Sequence, residues 1–441
     1  MAAGDIDWII LRTFYKKFAL INNMVRKILI DQREELEERI KGKKIVEREC
    51  LKIFKEYAKS SLVKVTMGVR RCGKSFLTYL LLKDKVFGYV NFDEDILLKV
   101  KSNQIISALH EIYGGNMNVI FLDEVQNYDG WELFINKLNR SGYDVFVTGS
   151  NAKLLSKELA THLTGRHISL ELFPFSFREY LIGNKIKTNP ETSKGKGIIK
   201  NELKNYIVGS GFPEVIVENE NPRIYLRELY RHIVEKDIIL RYNIRYKETF
   251  KEIALTVMSN FSNLISFNKL KKQFSLGSEH TVKNYISYLE EAYLVFTLKK
   301  FSYKPREIEQ APKKIYSIDT GFIVNVAHIT MENLGRLMEN LVAIELKRRG
   351  EEIYYWRDYS GREVDFVVKE GVKVKELIQV CYDIEDVSTK NRELRALIKA
   401  GKELKCKNLK VITWDYEGRE EFKNKKINFI PLWRHLLEQS L

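Results

Sequence analysis

The stretch MGVRRCGKSF, residues 67–76, decides how the first half of the chain is read. Gly68, Gly73, Lys74 and Ser75 have the spacing G-x-x-x-x-G-K-S, with Val69, Arg70, Arg71 and Cys72 between the glycines and Phe76 after the serine. An apolar run, LVKVTM, precedes it and a helical run, FLTYLLLK, follows. Glycines let the backbone curl so that its N–H groups and the start of the next helix face phosphates. The lysine neutralises the β and γ oxygens, and the serine hydroxyl holds Mg²⁺. ATP and Mg²⁺ are therefore the expected ligands.

Working outward, NVIFLDEVQN at 118–127 reads as a buried strand ending in Asp123-Glu124. A carboxylate pair at the C-terminal edge of a strand is what a metal ion and an attacking water require, so Asp123 is expected on Mg²⁺ and Glu124 on the water. An isolated Asp-Glu pair is otherwise only a strand-end turn. VFVTGSN at 145–151 is the next strand, whose polar end (Thr148, Ser150 or Asn151) can reach the γ-phosphate or the water. Arg166 opens the following strand, where an arginine taken by itself is a surface charge. With FGYVNFD and HISLELF, five β-rich runs alternate with helical ones between 62 and about 182. That alternation predicts a parallel sheet covered by helices.

Taken together, GVRRCGKS, FLDEVQNYDGWE, TGSNAKLL, LTGRHISLELFPFSFREYL and GFPE (211–214) resemble archaeal and bacterial ATPases of the AAA type whose C-terminal half is a restriction-endonuclease-like domain. The resemblance covers roughly residues 24–430. It implies ATP hydrolysis with Lys74, Glu124 and Arg166 as catalytic residues, Ser150 and Asn151 at the sensor position, and assembly into a homo-oligomer such as a hexamer. GFPE is similar to the G-x-P element of signal-transducing ATPases, which implies that Gly211 and Pro213 approach the nucleotide from a helical lid.

The 441 residues carry a net charge of +15, which suits a polyanionic partner or simply the solubility of a Lys/Glu-rich protein. Cys50, Cys72, Cys381 and Cys406 lie far apart without C-x-x-C spacing, so neither a zinc site nor a disulfide framework is indicated and a cytoplasmic setting is expected. His162 and His167 are read as structural. Residues 6–23 carry Arg12, Lys16 and Lys17 and are too short to span a bilayer, and Met24 is an alternative start. Residues 24–60 read as solvent-facing helix, and 185–204, rich in Lys with Pro and Gly, as an exposed loop.

Residues 261–307 have the cadence of a winged helix: NKLKKQF, a turn at Gly277, a helix capped near Ser278, then strands FTLKKF and KKIYSID around a basic hairpin. Eight Lys/Arg and three Glu lie between 268 and 306. Lys269, Lys271, Lys272, Lys283, Lys299 and Lys300 are the expected DNA phosphate contacts, unless the module binds protein or merely spaces two domains.

The C-terminal region places Glu339 on a helix, Asp365 on a strand, and ELIQVCYD (376–383) on the next. The nuclease class implied by the resemblance needs a helix Glu, a strand Asp and E-x-K around Mg²⁺, but Gln379 and Cys381 stand where the last two belong. Glu339 and Asp365 are thus candidate metal ligands of a degenerate site or merely surface or structural charges, with Lys375 or Lys390 as replacement cations. The expected order is an N-terminal helical segment (1–60), a P-loop ATPase core (61–184), a helical lid (185–255), a winged helix (256–325) and a restriction-endonuclease-like α/β domain (326–441). The expected activity is ATP-driven remodelling of DNA, such as branched or junction DNA, with an ATP-dependent signalling switch or an ATP-regulated nuclease as alternatives.

Overall fold

The computed structural model describes residues 4–151, 165–327 and 330–438. The chain divides into two compact units, one of residues up to 68 plus 73–172, the other of 69–72 plus everything from Phe173 onward. Residues 152–155 of the TGSNAKLL stretch, and His162, lie outside the described residues.

The first unit is built on the five expected strands: β1 (Val63–Met67), β2 (Phe87–Asn91), β3 (Val119–Asp123), β4 (Asp144–Gly149) and β5 (His167–Glu171). All pair in parallel, in the order β2-β3-β4-β1-β5. β1 and β3 are buried throughout, which is why they read as continuous apolar runs instead of alternating ones. Lys64, fully buried inside β1, is matched by Asp144 of β4.

The N-terminal helix Gly4–Ile40 is not solvent-facing as its mixed charge suggests. Val25, Leu29 and Leu36 are buried along one stripe. The Gln32 amide exchanges two 2.9 Å hydrogen bonds with the backbone of Asn91, and the Arg33 guanidinium lies 3.7 Å over the Phe87 ring. From Leu20 onward the charged residues other than Arg33 are exposed, and the buried stripe docks the helix on the β2 edge.

The second unit corrects another expectation. Only the stretch up to Thr192 is loop; Ser193–Gly209 is one helix, capped by the Thr192 hydroxyl, which accepts from the Gly195 N–H at 3.0 Å. Gly195 is there for close approach, since a Cβ would meet the Asn189 carbonyl oxygen at 1.8 Å. In sequence alone, a glycine demanded by packing reads as a breaker.

Farther on, helices Phe267–Gln273 and Glu279–Glu291 and strands β7 (Val295–Leu298) and β8 (Lys313–Ser317) fall where expected, with Ser278 capping the second helix through its bond from Thr281 N at 3.2 Å. A short strand not foreseen, β6 (Asn263–Ile265), completes an antiparallel sheet with β8 in the middle. The connection between β7 and β8 contains a one-turn helix, Pro305–Gln310, instead of a plain hairpin.

The C-terminal part is a helix, Leu334–Arg348, on a mixed six-stranded sheet. Its strands are β9 (Glu352–Arg357), β10 (Glu363–Glu370), β11 (Lys373–Cys381), β12 (Leu409–Thr413), β13 (Gly418–Phe422) and β14 (Lys425–Pro431), in the order β13-β14-β12-β11-β10-β9. The apolar stretch LKVITWD (409–415) opens with β12, and the sheet extends past it through β14 and β13, whose alternating, partly exposed pattern carries a weaker apolar signal. Helix Val387–Glu403 covers the sheet through Leu394, Leu397 and Ile398. No described helix is long and apolar enough to cross a membrane.

Candidate nucleotide site and a buried charge cluster

Strand order brings the nucleotide-site residues together. β1 pairs with β4 and β4 with β3, so the loop after β1 stands beside the C-terminal ends of both, the usual ligand-binding edge of a parallel sheet. Gly68, Arg71 and Gly73 take positive φ angles of 152°, 69° and 96°, the curl required of a phosphate loop. Lys74 is the first residue of helix Lys74–Leu82; its buried ammonium donates to the Gly68 carbonyl at 3.2 Å and stands 3.7 Å from Glu124 Oε1. The Ser75 hydroxyl donates to Asp123 Oδ1 at 2.9 Å.

Asp123 also accepts from the Tyr89 hydroxyl at 3.0 Å and from the Thr148 hydroxyl. Burial, then the neighbouring Glu124 charge, push its carboxyl up, against the hydrogen bonds from Thr148, Ser75 and Tyr89 that favour the anion. A cation placed here would offset that burial cost. Glu124 holds φ 49° and ψ 42°, a left-handed conformation that costs a side-chain-bearing residue roughly 1–2 kcal/mol and turns its carboxylate back toward Lys74. Its Oε2 accepts from Ser150 at 2.9 Å and from Gln126 Nε2 at 2.5 Å. Thr148 thus serves Asp123, Ser150 serves Glu124, and Asn151 is buried at the same strand end. These residues fit a magnesium nucleotide: a curled glycine loop, a buried ammonium inside it, and a hydroxyl and carboxylate facing each other.

Three participants escaped sequence reading: Tyr89, Gln126 and Arg48. Arg48 is buried, with Nη1 3.7 Å from where a Cβ on Gly73 would sit. Only the i+2 spacing of Gln126 from Glu124 was visible in the sequence. Phe76 is half-buried on the loop's helix, and Arg166 is exposed just ahead of β5, its carbonyl accepting from Val63 N at 2.9 Å.

The four loop residues 69–72 belong to the second unit. Val69 and Cys72 are fully buried, and Arg70 forks onto Asp237 at 3.0 and 3.1 Å. Asp237 is buried in a π-helical turn, Ile233–Leu240, which runs on from the helix Pro222–His232. Arg71 stands 3.6 Å from Glu214 of GFPE. Pro213 starts the helix Pro213–Val217, and Gly211 is packed so tightly that a Cβ would lie 2.5 Å from the Phe175 carbonyl oxygen. Of this motif, Glu214 stands beside Arg71 of the loop.

In the C-terminal region, Glu339 and Asp365 are not surface charges; both are buried and close together. Neither candidate replacement lysine reaches them: Lys390 pairs with Glu420 at 2.8 Å and Lys375 with Glu351 at 2.9 Å. The cation present is Lys314 of β8, whose Nζ lies 2.8 Å from Glu339, 2.6 Å from Glu363 and 3.1 Å from Asp365. The only signals for it were a lysine inside the apolar run KKIYSID and the i, i+2 carboxylates of GREVDF. Gln379 accepts from Asp365 N at 3.3 Å and donates to Glu393 at 2.7 Å, while Cys381 is packed among Leu377, Leu394 and Leu397. Burial pushes the Cys381 thiol up to about 11, so it carries no charge near neutrality. Among the described residues no group of His, Cys, Asp and Glu is arranged to hold a metal ion.

Of the lysines expected on DNA, Lys269 and Lys272 are exposed and Lys271 half-buried on helix Phe267–Gln273, and Lys283 lies 5.6 Å over Phe267. Lys299 and Lys300 lie in the segment after β7, Lys299 pairing with Glu309 at 3.1 Å and Lys300 lying 5.8 Å over the Tyr359 ring.

A family match agrees with the first unit's geometry. Residues 60–181 match the model of an AAA domain, 200–333 a domain of unknown function (DUF8612), and 334–434 another (DUF4143). The AAA domain implies binding and hydrolysis of ATP, typically with Mg²⁺. The chain is 36% identical over 397 residues to the uncharacterized protein MJ1544 of Methanocaldococcus jannaschii, covering 84% of this chain and 87% of that protein. It is 28% identical over 349 residues to an uncharacterized protein of Haemophilus influenzae, covering 75% and 85%. Among solved structures, the Walker-type ATPase PABY2304 of Pyrococcus abyssi aligns over 65% of this chain and 96% of that one, at 14% identity and a TM-score of 0.43.

Proposed function

The chain belongs to the family of the archaeal protein MJ1544, and from that premise and its AAA domain we propose that it is an ATP hydrolase that couples turnover to DNA bound through residues 261–317. One observation carries the hydrolase reading: Lys74, Ser75, Asp123 and Glu124 converge at one strand edge with the lysine inside the glycine loop. Lys74 would neutralise the β- and γ-phosphates of the substrate, Ser75 and Asp123 would hold Mg²⁺, and Glu124 would orient the attacking water and take its proton. Ser150 and Gln126 aim the Glu124 carboxylate, and Thr148 and Tyr89 fix Asp123.

The DNA half of the reading rests on charge and order of elements. Helix Phe267–Gln273, helix Glu279–Glu291 and the three-stranded sheet follow one another as in a winged helix, and Lys269, Lys271, Lys272 and Lys283 cluster on those helices. The ATPase rate measured with single-stranded, duplex and four-way DNA tests it: stimulation by one of these is expected, and an unchanged rate with all three would remove DNA from the reading.

A second reading, an ATP-dependent switch, is favoured by one specific arrangement. Arg70 and Arg71 at the apex of the loop are held by Asp237 and Glu214, so a change at the loop is felt directly by the helical segment from 213 to 240. Slow turnover with retained nucleotide, insensitive to DNA, would select it.

A further inference from the structure

Lys314 sits in the middle strand of the three-stranded sheet, yet its ammonium ends among carboxylates of the C-terminal region. Its side chain is 3% exposed. An ammonium has three N–H donors, and here it meets three carboxylates, at 2.8 Å on Glu339, 2.6 Å on Glu363 and 3.1 Å on Asp365. The surroundings hold these acceptors in place. The Tyr316 hydroxyl, two residues along β8, donates to Glu339 at 2.7 Å, and Val380 N donates to Asp365 Oδ2 at 3.0 Å. Gln379 braces the Asp365 backbone and is itself bonded to Glu393.

Two buried carboxylates with a third, partly exposed one beside them require a cation, because their mutual repulsion and the lost hydration of Glu339 and Asp365 are uncompensated without one. A divalent metal would need oxygens at roughly 2.0–2.6 Å around one point. The Lys314 nitrogen occupies that point, and one place cannot hold both. We propose that Lys314 is the resident cation of this cluster: a tethered ammonium seated where a divalent metal would otherwise lie, keeping metal out and locking the three-stranded sheet onto the C-terminal α/β region. Nothing in this cluster depends on what the nucleotide site does.

Two consequences separate this from a lysine that merely assists a bound metal. The wild-type cluster should take up no divalent ion, and removing the lysine should create a site for one. The test uses the full chain without nucleotide, with Mn²⁺ as the probe, followed by its paramagnetic resonance signal and by thermal unfolding. Wild type and Asp365→Asn should bind Mn²⁺ alike. Lys314→Met should unfold at a lower temperature, gain one Mn²⁺ per chain, recover several degrees when Mn²⁺ is added, and lose both effects in Lys314→Met/Asp365→Asn. If Lys314→Met does not fold, Lys314→Met/Glu339→Gln/Asp365→Asn should fold, because the two buried carboxylate charges leave together with the lysine and the third, Glu363, is partly exposed and stands 3.9 Å from Arg357. Three results overturn the proposal: Mn²⁺ bound by wild type and lost in Asp365→Asn, a Lys314→Met protein as stable as wild type without metal, or a triple variant no better folded than the single one.

Discussion

Lys74 and Glu124, 3.7 Å apart, share a small space but have separable tasks. Lys74→Ala should abolish nucleotide binding, measured by titration with a fluorescent ATP analogue, because the phosphate charge loses its buried counter-ion. Glu124→Gln should bind ATP normally yet turn it over about 100-fold more slowly or worse, the usual loss for a missing general base. Unimpaired steady-state hydrolysis by the glutamine variant would exclude Glu124 from that role. Glu339 offers a prediction in pH. Burial, then the Asp365 charge, push its carboxyl from 4.5 up to about 7, against the pull of Lys314 and Tyr316. Its folded value is therefore above its unfolded one, so the stability it contributes is full below about pH 4.5 and is lost as pH rises through about 7. Lys314, Tyr316, Asp365 and Arg336 bear on this group, Glu363 shares its Lys314, and Glu339→Gln removes only its proton equilibrium and charge. Relative to wild type, that variant should gain stability between about pH 5 and pH 8, by at most about 3 kcal/mol, read from denaturant unfolding. A difference that stays flat across this range would show that Glu339 is ionised throughout.

Elements were legible where one signal dominated. The five parallel strands appeared as apolar runs because both of their faces are covered, and the helix after Ser278 announced itself through its cap. Ser193–Gly209 failed for an equally physical reason: Gly195 and Gly197, read as breakers, lie inside the helix, and Gly195 lets its first turn close against the Asn189 carbonyl. Gly195→Ala would improve intrinsic helix propensity by about 1 kcal/mol, yet it should destabilise the protein by about 1–3 kcal/mol, since the clash is with backbone that cannot swing aside. A thermal midpoint equal to or above that of wild type would contradict the packing argument. The N-terminal helix teaches the converse. Its many charges hid a narrow buried stripe, and neither Gln32 nor Arg33 could be assigned a contact until β2 lay beside them.

At the scale of the whole molecule, the lysines of helix Phe267–Gln273 give the decisive prediction about DNA. Neutralising Lys269, Lys271 and Lys272 together should weaken binding across all sequences and flatten its dependence on salt, because every phosphate left without its lysine keeps about one counter-ion that binding would otherwise release. Basal ATPase should survive, and undiminished affinity at moderate salt would favour a protein partner. Arg166, exposed ahead of β5, tests assembly: Arg166→Ala should hydrolyse slowly while still binding ATP, and mixing it with Lys74→Ala should restore activity if a neighbouring copy supplies the arginine. A monomer with full turnover would end that idea. The sequence by itself determined the phosphate loop, the strand carrying Asp123 and Glu124, and the strand carrying Thr148 and Ser150. Each is a local strand–turn signal, and parallel pairing in register brings their ends to one edge. It could not determine the C-terminal cluster. The residues chosen there, Glu339 and Asp365, do meet, but the cation comes from Lys314, 51 positions before Asp365 and on a strand of another sheet. Lys375 and Lys390 were nearer in sequence and are occupied elsewhere. Which lysine fills a buried carboxylate cluster depends on which strand packs over it, and that is settled only by the tertiary fold.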